Sequence, residues 1–418
     1  MVSIVIFLFM VGLLIWDRLP MAASAILGSA LMVVFGVCDL ETVLAPFASD
    51  TIVLTVGVMI IGASVSETGL ADLIGEKVVQ MSRGSERRLI FGAYFTAAIM
   101  SMFLTNSAVL AIFIPIMTGL STQDGRIQAK NLIMPIAIAC VLGGGATLAG
   151  STQQLVAQGF LKDLNIRTFS MFDLTPVGFS LVIIGGVYCL LIGYPRGKKI
   201  WGNEVLSGGE TRTAERRRYN HRKIGCMIGI FAFTVVFYIT SWIPLALTST
   251  LGALLCIITG CITQEKALQE VNWSVVGRLG GCLGAAAAME AGGGIQIISD
   301  FFSRFIGSTV NPYVLFVIFV FITQFITQFV SASVALTIIL PILISIVHPL
   351  GLNTYAYVLG ATLISPVLLS NPLASTALGF SMTAGYGFRD YFRYSIFLDL
   401  IGLVTVCVMV PAFYGLTL

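Results

Sequence analysis

FLTNSAVLAIFIPI, from Phe103 to Ile116, returns in altered letters as FVSASVALTIILPI, from Phe329 to Ile342. Each copy sets small hydroxyl or amide side chains in an otherwise apolar run: Thr105, Asn106 and Ser107 in the first, Ser331 and Ser333 in the second. A proline follows ten residues after the first hydroxyl of each copy, at Pro115 and Pro341. In a bilayer such a cluster is costly unless the backbone breaks there to line a cavity. A duplicated cluster therefore points to a duplicated binding site.

The surrounding composition identifies the solvent. Hydrophobic residues make up 57% of the 418 and charged residues only 10%, against about 25% charged in a soluble domain. The chain reads as an all-α polytopic membrane protein. Its first apolar segment, Val2 to Trp16, has neither a basic leader nor a small-residue cleavage site and is expected to be a retained helix. The eight cysteines lie mostly inside apolar segments with no CxxC pair, which points away from a disulfide framework or a zinc site.

Apolar runs predict spans near 2–16, 20–37, 51–66, 128–160 (interrupted), 173–194, 224–241, 245–262, 271–290, 353–383 (interrupted) and 393–415. The two stretches that carry the motifs, 87–119 and 312–347, are each long enough to enter and return and are broken in the middle. They are expected to be re-entrant hairpins.

The halves match beyond the motif. Pro20, Gly28 and Gly36 correspond to Pro244, Gly252 and Gly260, each pair 224 apart, and SETG around Glu67 resembles MEAG around Glu290. Near-constant offsets over such distances argue for internal duplication. The expected organisation is a first repeat over 1–195, a basic cytoplasmic linker over 196–223 and a second repeat over 224–418. Five crossings and one hairpin per repeat make the count odd, so the second repeat inserts upside down.

Charge placement tests that count independently. With the amino terminus outside, 19 of the 23 lysines and arginines fall on the cytoplasmic side, nine of them between Arg196 and Lys223. Only Lys162, Arg167 and Arg304 fall outside, and Arg278 sits near or within a span. This is the bias of the positive-inside rule. It predicts a multi-pass protein of the plasma (inner) membrane with both termini on the outer side.

Each hairpin is followed by an interrupted helix. LGGGATLAGSTQQLVAQGF (142–160) offers Gly143, Gly144 and Gly145 for unwound backbone, with Thr147, Ser151, Thr152, Gln153 and Gln154 as polar groups. SPVLLSNPLASTALGFSMTAG (365–385) offers Ser370, Asn371, Ser375 and Thr376. Carbonyls freed at half-helix ends and nearby hydroxyls replace the hydration shell of a small cation such as sodium, while half-helix amino termini favour an anion beside it. No lysine or arginine lies in the cores of these four segments, so dipoles, hydroxyls and bound cations are expected to hold the anion. Serine, threonine and glycine also serve close helix packing in membranes. Two matched clusters, each followed by a broken segment, argue against packing alone.

The remaining polar residues are read singly. Glu67 and Glu290 are expected at membrane boundaries, capping the following helix. Asp399, an acid inside the last span, is a candidate proton site. Arg278 is expected to snorkel to the interface. His221 and His348 lie in or beside loops, and no His/Asp/Glu or Cys/His constellation points to an enzyme.

The hairpin tip, the GGGATLAGSTQQLV stretch and the ending GYGFRDYFR (385–393) together resemble the divalent anion:sodium symporters of the ion transporter superfamily, across essentially the whole chain. In that family a Ser-Asn-Thr tip precedes a broken helix. Here the first tip reads Thr105-Asn106-Ser107 and the second Ser331-Ala332-Ser333, which lacks the amide; Gln154 stands where asparagine is usual. Gln324 and Gln328, just before the second tip, are candidates for a compensating amide. The resemblance implies a homodimeric elevator carrier coupled to sodium, carrying a small anion such as a di- or tricarboxylate. Sulfate transport, sodium-independent exchange and proton-coupled antiport are the alternatives. It further implies sodium ligands among Ser101, Thr105, Asn106, Gly144, Gly145, Ser151, Ser331 and Ser370. The anion is implied to meet Thr105, Asn106, Ser107, Thr152, Ser331, Ser333, Asn371, Ser375 and Thr376.

Overall fold

A computed structural model describes residues 2–16, 19–82, 85–120, 128–163, 166–201, 220–240, 242–294, 296–297, 311–372 and 374–417. Most of the basic linker lies outside the described residues, as do Arg18, Arg83, Arg126 and Arg304 of the charge count.

The described residues are predominantly helical and contain no β-strand. The first half runs α1 (Val2–Trp16), α2 (Met21–Val34), α3 (Leu40–Leu44), α4 (Asp50–Glu67), α5 (Leu70–Met81), α6 (Glu86–Ser101), α7 (Asn106–Gly119), α8 (Ala129–Gly144), α9 (Thr152–Asp163), α10 (Thr175–Tyr188) and α11 (Tyr194–Trp201). The second runs α12 (His221–Thr240), α13 (Leu245–Ile258), α14 (Gln264–Glu270), α15 (Trp273–Ala291), α16 (Pro312–Ile326), α17 (Ala332–Val347), α18 (Thr354–Ile364), α19 (Thr376–Ser381) and α20 (Phe388–Tyr414). Among the described residues four helical stretches, Leu40–Glu67, Thr175–Trp201, His221–Thr240 and Phe388–Tyr414, are long and apolar enough to cross a membrane.

Local chemistry repeats at the same offset as the letters. Pro20 and Pro244 precede α2 and α13 with φ of −52° and −51°. Both helices close on a left-handed glycine, Gly36 at φ +68° and Gly260 at +71°. The cap bonds correspond as well: Val37 N donates to Met32 O and Cys261 N to Cys256 O, each at 2.9 Å. Only glycine adopts that backbone without penalty, and the turn satisfies carbonyls the helix end leaves free.

Packing repeats too. A Cβ added to Gly57 on α4 would lie 2.6 Å from Ser249 Oγ on α13, and one added to Gly281 on α15 would lie 2.7 Å from the Ala25 backbone on α2. Gly57 and Gly281 are 224 apart, and so are Ala25 and Ser249. The same close crossing is therefore made twice, each time between one half's third apolar segment and the other half's second.

Both motif stretches break where the hydroxyls cluster. α6 ends at Ser101 and α7 starts at Asn106 after an extended Thr105 (φ −63°, ψ 137°). α16 ends at Ile326 and α17 starts at Ala332 after an extended Ser331 (φ −62°, ψ 150°). The interrupted helices break over 145–151 and 365–375. α8, enclosed on all sides, packs against α6, α7, α10 and α19. α9 reaches outward to α15, α17 and α18.

Three elements depart from the expected pattern. The segment between α4 and the first motif stretch forms α5. The 173–194 run continues through a π-helical turn, Cys189–Gly193, into α11. The last helix starts earlier than 393 because Asp390 Oδ2 accepts the Gly387 N–H at 2.9 Å and fixes its first turn.

Candidate functional site

The centre of the first half-site is the Asn106 side chain at the amino terminus of α7. Ser101 Oγ, on the last residue of α6, donates to the Cys140 carbonyl of α8 at 2.8 Å. One end of the Asn106 amide lies 2.7 Å from Ser101 Oγ, and the other lies 3.4 Å from Ser151 Oγ. A hydroxyl has one proton, and Ser101 spends it on Cys140. In the protein alone the amide nitrogen therefore faces Ser101, where it also meets the carbonyls of Cys140 at 3.2 Å and Gly150 at 3.3 Å. Turned the other way, the amide oxygen joins a hydroxyl and two carbonyls in a cluster that has only acceptors to offer. That is the donor set of a hard monovalent cation, for which oxygen ligands are preferred.

The glycines make this convergence possible. A Cβ on Gly144 would collide with the Asn106 side-chain amide and lie 2.6 Å from Ser151 Oγ, and one on Gly150 would lie 2.8 Å from the Ser101 carbonyl. Gln154 Nε2 donates to the Gly144 carbonyl at 3.1 Å, while its Oε1 is buried with no partner. Thr147 Oγ1 donates to the Met102 carbonyl and so pins this break to the one between α6 and α7.

The second half-site meets the first at one point. Thr152 Oγ1, on the first residue of α9, shares a hydrogen bond of 2.9 Å with Ser333 Oγ in the first turn of α17. Asn106, Thr152 and Ser333 thus sit in the first turns of three helices, α7, α9 and α17, linked through Ser151. Helix amino termini carry unsatisfied N–H groups and a partial positive charge, so their convergence favours an anion. Ser331 Oγ, the cap residue of α17, is buried and unpartnered.

The other expected residues are distributed as follows. Thr105 is exposed and Ser107 half-buried beside Asn106. Gly145 faces Pro366 across the two breaks, with its Cβ position 3.8 Å from Pro366 Cγ. Asn371 Nδ2 donates to the Gln328 carbonyl at 2.7 Å, and Ala332 N donates to the Ala374 carbonyl at 3.3 Å. These bonds tie the second break to the second tip. Ser375 caps α19, and Thr376 beside it is exposed. Neither is hydrogen-bonded to the Thr152–Ser333 pair.

Ser370 and Asp399 belong together. Asp399 is buried, and its two carboxylate oxygens accept the N–H groups of Leu369 at 2.7 Å and Ser370 at 3.1 Å. It caps the unwound backbone of the second break. Gln324 Nε2 donates to the carbonyls of Val367 and Asp399 at 2.9 and 3.2 Å. Gln324 is thus committed to the same scaffold and does not replace the amide missing from the second tip.

Two further sequence readings change. Glu67 ends α4 and pairs with Lys266 Nζ at 2.7 Å, so it bridges to α14 instead of capping the next helix. Arg278 turns inward: its Nη2 lies 3.5 Å from Thr152 Oγ1. A cavity of about 310 Å³ lies apart from the motif residues, lined by Asp50, Gln158, Lys162, Phe169 and Leu245 among others. The Lys162–Asp50 ion pair (2.5 Å) borders it.

Broken helices in an apolar helical protein, with oxygen clusters and helix amino termini meeting at the breaks, are the architecture a membrane transporter uses. The citrate transporter family model matches residues 11–363, and the chain belongs to that family. It is 29% identical to an uncharacterized transporter of Synechocystis sp. over 45% of this chain and 30% of that protein. It is also 29% identical to sodium/sulfate cotransporter 1 of Chlamydomonas reinhardtii over 31% of this chain and 15% of that protein. With the sodium-dependent high-affinity dicarboxylate transporter 3 of Caenorhabditis elegans it shares 26% identity over 35% of this chain and 29% of that protein. The chain spans 30%, 36% and 64% of three such transporters, from Synechocystis, Escherichia coli and Haemophilus influenzae. Its fold is that of the Alcanivorax borkumensis YdaH transporter, with a TM-score of 0.63 at 16% identity, covering 92% of this chain and 88% of that one.

Proposed function

We propose that this protein is a sodium-coupled symporter of a small anion, a di- or tricarboxylate first and sulfate second. The observation that carries the reading is the convergence of α7, α9 and α17 amino termini beside the oxygen cluster of Ser101, Asn106, Cys140 and Gly150. A sodium ion bound there supplies positive charge next to the anion. Asn106 turns its amide oxygen toward it, and Thr152 and Ser333 exchange their mutual hydrogen bond for bonds to the anion. Neither ligand alone completes the site, which couples their binding. The relatives named for sodium with sulfate and for sodium with dicarboxylate support the same pairing.

The duplicated caps and crossings at offset 224 support two repeats of opposite orientation, with 87–119 and 312–347 as re-entrant hairpins. In this reading the hairpins and broken helices move as one body against α2, α4, α13 and α15, by an elevator motion in a homodimer. Both termini lie on the outer face of a plasma membrane.

Uptake of labelled citrate, succinate and sulfate into proteoliposomes, with and without a sodium gradient, tests the function. Sodium-stimulated uptake of at least one is expected, and Asn106→Ala should reduce it at least tenfold. Uptake indifferent to sodium would leave an exchanger of the same fold.

A further inference from the structure

Arg278 lies in the second turn of α15, a helix packed along α2 and against α3. Its guanidinium is directed at α2 and α9. Nη2 approaches Thr152 Oγ1 at 3.5 Å and Nη1 approaches Met21 Sδ, a weak acceptor, at 3.3 Å. Nε is buried, with no hydrogen-bond partner among the described residues. Among the described residues no carboxylate pairs with Arg278, whereas Lys162, Arg167, Lys198 and Lys266 pair with Asp50, Asp173, Glu86 and Glu67.

Guanidinium is permanently charged and carries five donors with no acceptor. Holding it partly buried with one long bond to a hydroxyl and one to a thioether leaves most of that capacity unused, which is unfavourable for a charge taken out of water. An ionised residue kept at such a cost within an apolar helix marks a functional pathway. The group it touches, Thr152, is the residue that joins the two half-sites through Ser333.

We infer that Arg278 is a substrate-binding residue: its guanidinium fork takes one anionic group of the substrate while the amino termini of α7, α9 and α17 take another. The fork geometry matches a carboxylate or a sulfate by paired hydrogen bonds. It provides the full side-chain charge that the hairpins and broken helices lack. This inference rests on the anion-transport reading above. If the hairpin body slides against α15, the Arg278 contact belongs to one end of the travel, since Thr152 and Ser333 move and Arg278 does not.

The test is uptake and binding by the full chain in proteoliposomes and in detergent, with citrate, succinate and sulfate as probes. For the probe that wild type carries best, Arg278→Gln should raise KM at least tenfold. Arg278→Lys, which keeps charge but loses the fork, should fall between the two. In thermal unfolding, the probe should raise the wild-type Tm and leave that of Arg278→Gln unmoved. Without probe, Arg278→Gln should be as stable as wild type or more so, because an unpaired charge has been removed. Unchanged KM in Arg278→Gln overturns the inference while leaving the symporter reading intact. A lower Tm without probe, with KM unchanged in Arg278→Lys, assigns the residue to structure and overturns it as well. Failure of wild type to take up any of the three probes removes the transport reading and this inference with it.

Discussion

Thr152 Oγ1 and Ser333 Oγ, from opposite halves of the sequence, lie 2.9 Å apart at the start of two helices. One of the two hydroxyls commits its proton to this bond and can donate to an anion only by releasing its partner, while the other keeps its proton free. Thr152→Val and Ser333→Ala should each raise the KM for the transported anion by roughly three- to tenfold, the scale of one or two hydrogen bonds of about 1 kcal/mol. The double variant should be weaker than wild type by less than the product of the two effects, because the second loss removes a partner already gone. A double-mutant cycle on initial uptake rates measures this coupling.

Gly144 has no room for a side chain: a Cβ there meets the Asn106 amide and Ser151 Oγ. Gly144→Ala should therefore disturb the cation half of the site before the anion half. The expected result is a rise of at least tenfold in the sodium concentration for half-maximal uptake, with a smaller change in anion KM at saturating sodium. Gly119→Ala, at the far end of α7 with open space around its Cβ position, serves as the control and should behave as wild type.

How far the site was legible depends on whether its chemistry is carried by letters. The hydroxyl and amide clusters at Thr105–Ser107 and Ser331–Ser333, and the glycine run at Gly143–Gly145, sit at the observed helix breaks because apolar surroundings make such residues conspicuous. The carbonyls of Cys140 and Gly150 were invisible, since every residue has one and only the fold says which are freed. Arg278 was misread for a related reason. A lone arginine near a helix end does not reveal its face, and only the packing of α15 along α2 turns it toward Thr152. Asp399 drew attention as an acid in an apolar run. That it caps Leu369 and Ser370 follows from the approach of two segments thirty residues apart.

That capping role makes a prediction distinct from proton coupling. Asp399 presents two acceptor oxygens to two backbone N–H groups, and asparagine has one. Asp399→Asn should leave one buried N–H facing an amide nitrogen and destabilise the protein by about 1–3 kcal/mol. Tm in detergent should drop, and uptake should fall in proportion to the folded fraction. If Asp399 carried a coupling proton instead, Asp399→Asn would keep wild-type stability and lose only the response of uptake to a pH gradient.

The paired crossings offer a test of the fold that needs no substrate. At Gly57 a new Cβ meets Ser249, including its backbone carbonyl carbon at 2.7 Å; at Gly281 it meets the backbone of Ala25 and Ile26 at 2.7 Å. Backbone cannot rotate away as a side-chain end can, so Gly57→Ala and Gly281→Ala should each destabilise by about 1–3 kcal/mol through overpacking. Gly12 and Gly229 lie within α1 and α12 with nothing near their Cβ positions. Alanine at either of them should be neutral or stabilise by up to about 1 kcal/mol, since it only removes backbone freedom. Thermal unfolding of the four variants, followed by size-exclusion chromatography, measures the contrast. Equal behaviour of all four would mean that neither α4 against α13 nor α15 against α2 makes a close crossing at these glycines, and the duplicated architecture would lose its structural support.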